Sequence, residues 1–172
     1  MRKHASGRAK RATDMRGAVA IEFVLVLPLL VMLFLGTLTA GLAYSRAIGL
    51  TNAVREGARF GATADISSAS WADDVLARIR ETQFDDAADA ASSNTIVCVQ
   101  LVGATTIGPV CSPGGDNPPP LPAFTGSTPA LDAGECAVLV WGARRYEITL
   151  GIVPPIDSVM NRPSTARYER SC

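Results

Sequence analysis

The sequence predicts an α+β protein in which a long N-terminal membrane-spanning helix continues into a small extracytoplasmic α+β domain with an antiparallel sheet. Residues 23–45 contain no charged side chain. Helical periodicity of the apolar residues continues beyond them to about residue 63, and a strand-like alternation appears only after residue 95. We therefore expect a basic leader peptide over residues 1–17, a transmembrane and extended amphipathic helix over 18–63, and an extracytoplasmic domain over 64–172.

The leader, residues 1–17, carries a strong charge asymmetry in a chain whose formal net charge is zero. It holds six basic side chains against Asp14 alone, and without it ten basic and fifteen acidic side chains would remain. It has no hydrophobic periodicity, so we expect it to be unstructured. A basic arm can bind nucleic acid. Here it adjoins an apolar run, so retention in the cytoplasm explains it better, and we expect no nucleic-acid partner.

The apolar helix is expected from about Ala18 to Tyr44. Its uncharged stretch of 23 residues reaches ~34 Å at ~1.5 Å per residue, enough for a hydrocarbon core of ~30 Å. A signal peptide is the alternative, because Gly41-Leu42-Ala43 offers small residues to a signal peptidase. The apolar run exceeds the usual ~7–15 residues, however. We expect a single span of the cytoplasmic (inner) membrane, in contact with the lipid bilayer, with the N-terminus cytoplasmic.

Beyond Tyr44 the pattern becomes amphipathic. The apolar face comprises Ala47, Leu50, Val54, Ala58 and Gly61, and the polar face Asn52, Arg55, Glu56 and Arg59. A second, short helix is expected over residues 70–83, starting at a capping-box-like pair of Ser70 and Asp73. Its apolar stripe consists of Trp71, Val75, Leu76 and Ile79, which we expect to pack on the domain.

Strands are expected over residues 95–102, 137–141 and 146–152, and a final edge strand over 165–170. Gly142-Ala143 lies between the second and third of these runs and suggests a hairpin. Seven prolines fall within residues 108–134. That composition predicts a long exposed loop without strand or helix.

The four cysteines, Cys98, Cys111, Cys136 and Cys172, all follow the apolar helix. An even number of cysteines in an oxidising compartment predicts two disulfides, and buried free thiols are the alternative. Of the three possible pairings we expect Cys98–Cys111, which closes a local loop, and Cys136–Cys172, which ties down the C-terminus. A zinc site would need clustered ligands. The cysteines form no C-x-x-C pair and the only histidine is His4, so we expect no metal.

Catalytic motifs are missing from the sequence. No glycine-rich loop joins a strand to a helix, and Ser-His or Cys-His catalysis would need a histidine on the domain side. Asp73 and Asp74 fit a solvated helix face better than an acid pair. We therefore expect neither an enzyme nor a cofactor.

Glu22 is the one residue whose chemistry calls for an explanation, because an ionisable group inside an apolar helix costs up to ~2.5–3.5 kcal/mol. It either reaches back to the cytoplasmic headgroups or has a partner. If the chain were cut after Gly17, the new amino group of Ala18 could pair with Glu22 of a neighbouring subunit. Glycine before the cut suits a protease that needs an extended backbone.

Gly17-Ala18-Val19-Ala20-Ile21-Glu22-Phe23, followed by Leu-Pro-Leu-Leu at residues 27–30, resembles a class III (type IVb) prepilin processing site. Together with Arg55-Glu56-Gly57-Ala58-Arg59, residues 17–63 look like the TadE-like pseudopilins of tight-adherence (Flp) pilus systems.

That resemblance implies a cut between Gly17 and Ala18, and a role in subunit assembly for Glu22 and Phe23. The partners it implies are a prepilin peptidase, other pilins and pseudopilins, and the inner-membrane platform of the pilus.

Two functions remain open at this point. A chain of 155 residues after cleavage favours a minor pseudopilin, since the major pilin of these systems is a very short peptide. The alternative is a permanently membrane-anchored extracytoplasmic binding or structural protein whose N-terminus is never cut.

Overall fold

A computed structural model describes residues 7–83, 94–148 and 154–172. Its helices are α1 (Gly7–Thr63) and α2 (Trp71–Gln83), and its strands are β1 (Thr95–Gly103), β2 (Ile107–Gly114), β3 (Cys136–Ile148) and β4 (Ile156–Arg167). The strands form one antiparallel sheet in the order β2-β1-β3-β4. The predicted α+β fold, with its long N-terminal helix, is confirmed.

The chain divides into two compact units. The first comprises Met1–Gly41 and Ile148–Pro155, and the second comprises Leu42–Glu147 and Ile156–Cys172. Between residues 19 and 46 the side chains of α1 are exposed or at most half-buried. By length and composition, the stretch Val19–Thr63 is a candidate membrane span.

The leader differs from its expected state, because residues 7–17 are helical and extend α1. Most residues between Gly7 and Gly17 are alanine, arginine, lysine or methionine, which are strong helix formers, and none is proline. Residues 7–17 therefore form a helix even though their sequence lacks amphipathic periodicity. Residues 1–6 lie outside the described part of the chain.

In the second unit, α1 and α2 pack on one face of the sheet. The predicted apolar face of α1 is buried from Ala47 to Gly61, and so is the predicted stripe of α2. Both faces meet alternate side chains of β1 and β3 in one core, namely Val97, Val99, Leu101, Cys136, Val138 and Val140. At the start of α2, the Ser70 hydroxyl donates to Asp74 Oδ2 (3.0 Å), so the side-chain pair is with Asp74 and not with the expected Asp73.

The predicted hairpin at Gly142-Ala143 is wrong, because β3 continues through both residues. A Cβ at Gly142 would lie 2.8 Å from Leu50 Cδ1 and 3.0 Å from Val97 Cγ1. This glycine therefore provides room for α1 to approach the sheet and does not form a turn. Residues 149–152 of the expected strand lie outside the described part of the chain.

The proline-rich segment also differs from the expected loop, since its first residues form strand β2. β2 lies at the edge of the sheet, where the missing N–H groups of Pro109 and Pro113 are tolerated. The remainder is not simply exposed: Trp141 Nε1 donates to the carbonyl oxygen of Pro122 (2.8 Å), and the Phe124 ring meets Trp141 edge to face. Pro122 and Phe124 of this segment thus pack on the second face of the sheet.

β4 begins nine residues before the predicted edge strand and ends three residues earlier. Its first half is rich in polar residues, and most of its side chains are exposed or half-buried. It therefore lacks the apolar alternation that identifies a half-buried strand in a sequence.

Both disulfides have the expected pairing. Cys98 of β1 bonds Cys111 of β2, its direct partner in the sheet register. Cys136, at the start of β3, bonds Cys172 at the end of the chain. No free cysteine remains among the four, so the alternative of buried thiols does not hold.

Candidate functional site

The expected cleavage point lies within α1. Gly17 is exposed, and among the described residues a Cβ added there would meet no heavy atom within 4 Å apart from the helix's own backbone. Helix continues on both sides of the Gly17–Ala18 bond. Glycine is about 1 kcal/mol less favourable than alanine in a helix interior, so α1 unwinds more easily here than at its neighbours. A protease that needs an extended backbone would have to unwind α1 at this point.

Glu22 lies four residues after Ala18, on the same face of α1 and ~6 Å further along its axis. Its side chain is exposed, and Phe23 is 61% exposed. Among the side chains described from residue 17 onward, Glu22 has no salt-bridge partner. The structure therefore places the residues expected for processing and assembly, Gly17 to Phe23, within two turns of one helix.

The run of residues 55–59 forms a contact between the two helices. Gly57 and Ala58 are buried, and a methyl group on Gly57 would overlap the side chain of Ile79 in α2. Beside this contact, Arg78 Nη2 lies 3.4 Å from Glu56 Oε1. The helical pattern predicts the burial of Ala58, but the contact of Gly57 with Ile79 was not predicted.

Gly61 lies one turn beyond Gly57 and extends the contact. A Cβ there would lie 3.1 Å from both Val75 Cγ2 and Val138 Cγ1, and Trp71 Nε1 donates to the Gly61 carbonyl oxygen (3.1 Å). Two glycines four residues apart let helices approach closely. That spacing was the signal in the sequence that could have identified this contact.

Tyr168 was also missed, and it anchors the C-terminal tail to the end of α1. Its hydroxyl donates to the Ala64 carbonyl oxygen (2.9 Å) and accepts from the Ile66 N–H (3.3 Å). The Glu169 N–H donates to the Ala62 carbonyl oxygen (3.0 Å). Carbonyl groups at a helix C-terminus lack partners within the helix, so the tail satisfies groups that α1 leaves open.

The turn after α1 carries a further polar contact. Asp65 Oδ1 accepts from the Ser67 N–H (2.9 Å) and from the Ser67 hydroxyl (2.8 Å). These hydrogen bonds favour the carboxylate and hold the pKa of Asp65 below its ordinary value. Their stabilisation is present above the ordinary pKa and is lost as pH falls through the lowered one.

Comparison with known proteins assigns one part of the chain. The family model described as TadE-like protein matches residues 17–59. No curated protein and no solved structure matches the chain significantly. The match begins at Gly17 and ends at Arg59, the last residue of the run that packs on α2. Residues 17–59 of this chain are therefore similar to the TadE-like family, as the motifs at the two ends of this stretch predict.

Proposed function

We propose that the chain is a minor pseudopilin for assembly of a tight-adherence (Flp, type IVb) pilus, and that a prepilin peptidase removes its leader after Gly17. The observation that carries the proposal is the starting point of the TadE-like match, which coincides with Gly17. Glu22 and the uncharged stretch follow that glycine at the spacing of a prepilin site.

The arrangement of α1 supports this role. Over residues 19–44 the helix exposes apolar side chains that suit lipid or neighbouring subunits. From Ala47 to Ala62 the same helix provides one side of the domain core. One helix thus serves as an anchor before assembly and as a contact surface after it. The partners would be the peptidase, other pilins and pseudopilins, and the pilus platform in the inner membrane.

The test is the N-terminus of the chain purified from membranes, compared between two leucine variants. We expect the unmodified chain to start at Ala18, and Gly17→Leu to retain the leader. Gly41→Leu is the matched control, because it adds the same side chain to the same helix outside the processing site. At both positions an added Cβ meets no side chain within 4 Å among the described residues, so the two variants are matched in their surroundings.

Leader removal is read by gel shift and by N-terminal sequencing. Cleavage that persists in Gly17→Leu would contradict a peptidase that reads this glycine. An unmodified chain that starts at Met1 would favour the permanently anchored protein. One that starts near Tyr44 would favour a signal peptide.

A further inference from the structure

Strand β3 runs antiparallel to the last part of α1. A Cβ at Gly61 would contact Val138, whereas a Cβ at Gly142 would contact Leu50. The N-to-C direction along β3 therefore leads back along α1 toward its apolar stretch. Continuing in that direction, side chains from α1, β3 and β4 line one small cavity: Ala43, Arg46, Ala47, Arg144, Tyr146 and Met160. We call the surface around Arg46, Arg144, Tyr146 and Met160 the juxtamembrane surface.

The chain places this surface at the end of the span by covalent connection alone. Ser45 is the last residue of the uncharged stretch, and Ala47 is already buried in the second unit. Only Arg46 separates the two, and two helical residues cover ~3 Å. A span that ends at Ser45 therefore puts Arg46 at the level of the lipid headgroups.

The chemistry of the surface suits that position. Arg46 is exposed and has no salt bridge among the described residues. Tyr44 is 69% exposed, and Tyr146 is half-buried. Tyrosines are enriched at membrane interfaces, where their rings meet lipid and their hydroxyls meet water. The cavity is lined by two arginines, Arg46 and Arg144, and by no acidic side chain among the described residues.

We propose that the juxtamembrane surface docks the domain on anionic phospholipid headgroups, with Arg46 as its principal cation. The docking rests on the membrane span and does not depend on the role in a pilus. A basic residue near an anionic bilayer contributes about 1 kcal/mol, which corresponds to about a fivefold change in an equilibrium constant. The docked domain would lie against the bilayer until the subunit leaves it.

Met160 provides a native reporter, because it is the only methionine after the apolar helix and it lines the cavity next to Arg46. The full chain is placed in nanodiscs of phosphatidylcholine with or without phosphatidylglycerol. Peroxide oxidation of Met160 is then followed by peptide mass spectrometry. We expect about fivefold slower oxidation on the anionic discs at low salt. The difference should vanish at high salt, which screens exposed charges.

Arg46→Gln should remove most of this protection, whereas Arg46→Lys should retain it. Arg59→Gln is the matched control: it removes the same charge from an exposed position on α1, 13 residues or ~20 Å further from the bilayer. It should keep the protection. Because the basic leader is common to all variants, its own attraction to anionic lipid cancels in the comparison. Inorganic phosphate added to phosphatidylcholine discs should give no protection.

Either of two results would overturn the docking without affecting the membrane span. One is equal oxidation rates on both kinds of disc. The other is equal loss of protection in Arg46→Gln and Arg59→Gln. Protection by inorganic phosphate would overturn the assignment to lipid. A chain that does not co-purify with discs would overturn the span, and the docking with it. The pilus role is tested separately by the cut after Gly17.

Discussion

Gly57 accommodates only a hydrogen atom where α1 packs on α2. In Gly57→Ala the new methyl group would overlap Ile79, whose side chain is fully buried. Overpacking costs ~1–3 kcal/mol, and the better helix propensity of alanine returns at most ~1 kcal/mol. We therefore expect the free energy of unfolding of the domain to fall by up to ~2 kcal/mol. Denaturant unfolding followed through the fluorescence of Trp71 and Trp141 measures it.

Gly49→Ala is the matched control for this change. It adds the same methyl group to the same helix, at a position with no heavy atom within 4 Å apart from the helix's own backbone. It should be neutral or stabilise by up to ~1 kcal/mol. Ile79→Ala removes the atoms that the methyl group meets, so the double variant Gly57→Ala/Ile79→Ala should lose less than the sum of the two. Strict additivity would contradict the contact.

At the scale of elements, the two helices could be predicted because their signal is local. The face from Ala47 to Gly61 and the stripe from Trp71 to Ile79 each repeat with the helical period. The resemblance of residues 17–59 to the TadE-like family could also be read directly, since its motifs are short stretches of chain. The four-residue spacing of Gly57 and Gly61 marks a close helix contact, but the partners of these glycines and of Tyr168 could not be predicted because they are distant in sequence.

The strands were harder to predict, because a glycine or proline forms a turn only where its surroundings in the folded domain allow one. Gly142 lies within β3, where Leu50 and Val97 occupy the space that a larger side chain would need. Pro109 stays within β2 because that strand lies at the edge of the sheet. The packing of Pro122 and Phe124 on the sheet depends on Trp141, which follows them in the sequence. None of these features has a local pattern.

The packing of the proline-rich segment on the sheet can be tested through Phe124. Its ring centroid lies 5.5 Å from that of Trp141, and such edge-to-face pairs contribute ~0.5–1.5 kcal/mol beyond the area buried. Phe124→Ala should loosen residues 115–135 while the sheet remains folded. We expect faster proteolysis within this segment and a red shift of Trp141 fluorescence.

Leu121→Ala is the control for Phe124→Ala, because Leu121 lies in the same segment and is 69% exposed. It should leave both readouts unchanged. If Phe124→Ala cleaves no faster than Leu121→Ala, the ring contact does not hold the segment on the sheet.

At the scale of the whole molecule, the two disulfides close loops of different length in the domain. Cys98–Cys111 spans 13 residues within a hairpin, whereas Cys136–Cys172 spans 36 and fixes the tail that caps α1. In the chain-entropy model the shorter loop contributes ~3 kcal/mol and the longer one ~4 kcal/mol. We expect Cys172→Ser to destabilise the domain more than Cys111→Ser. Non-reducing peptide mapping of the unmodified chain should recover both pairs, and four free thiols would refute them.

In the proposed function, assembly of the whole molecule depends on Glu22. An amino group at Ala18 and the carboxylate of Glu22 would lie at the same depth in neighbouring helices, so each could neutralise the other across subunits. Glu22→Val removes the carboxylate and the cost of burying it, so membrane insertion should be as good or better. Cleavage after Gly17 should persist, since the glycine and the apolar run are intact.

Pilus formation should nevertheless fail in Glu22→Val, because the Ala18 amino group is left at the membrane interface without its partner. Glu22→Asp should be intermediate, as it keeps the charge with a reach one methylene shorter. Both readouts come from the same strain: leader removal by gel shift, and surface pili or crosslinked heteromers by blot. Efficient cleavage with no pili would separate assembly from processing. Normal pili with Glu22→Val would mean that the glutamate only reaches the headgroups, and the pairing between subunits would be wrong.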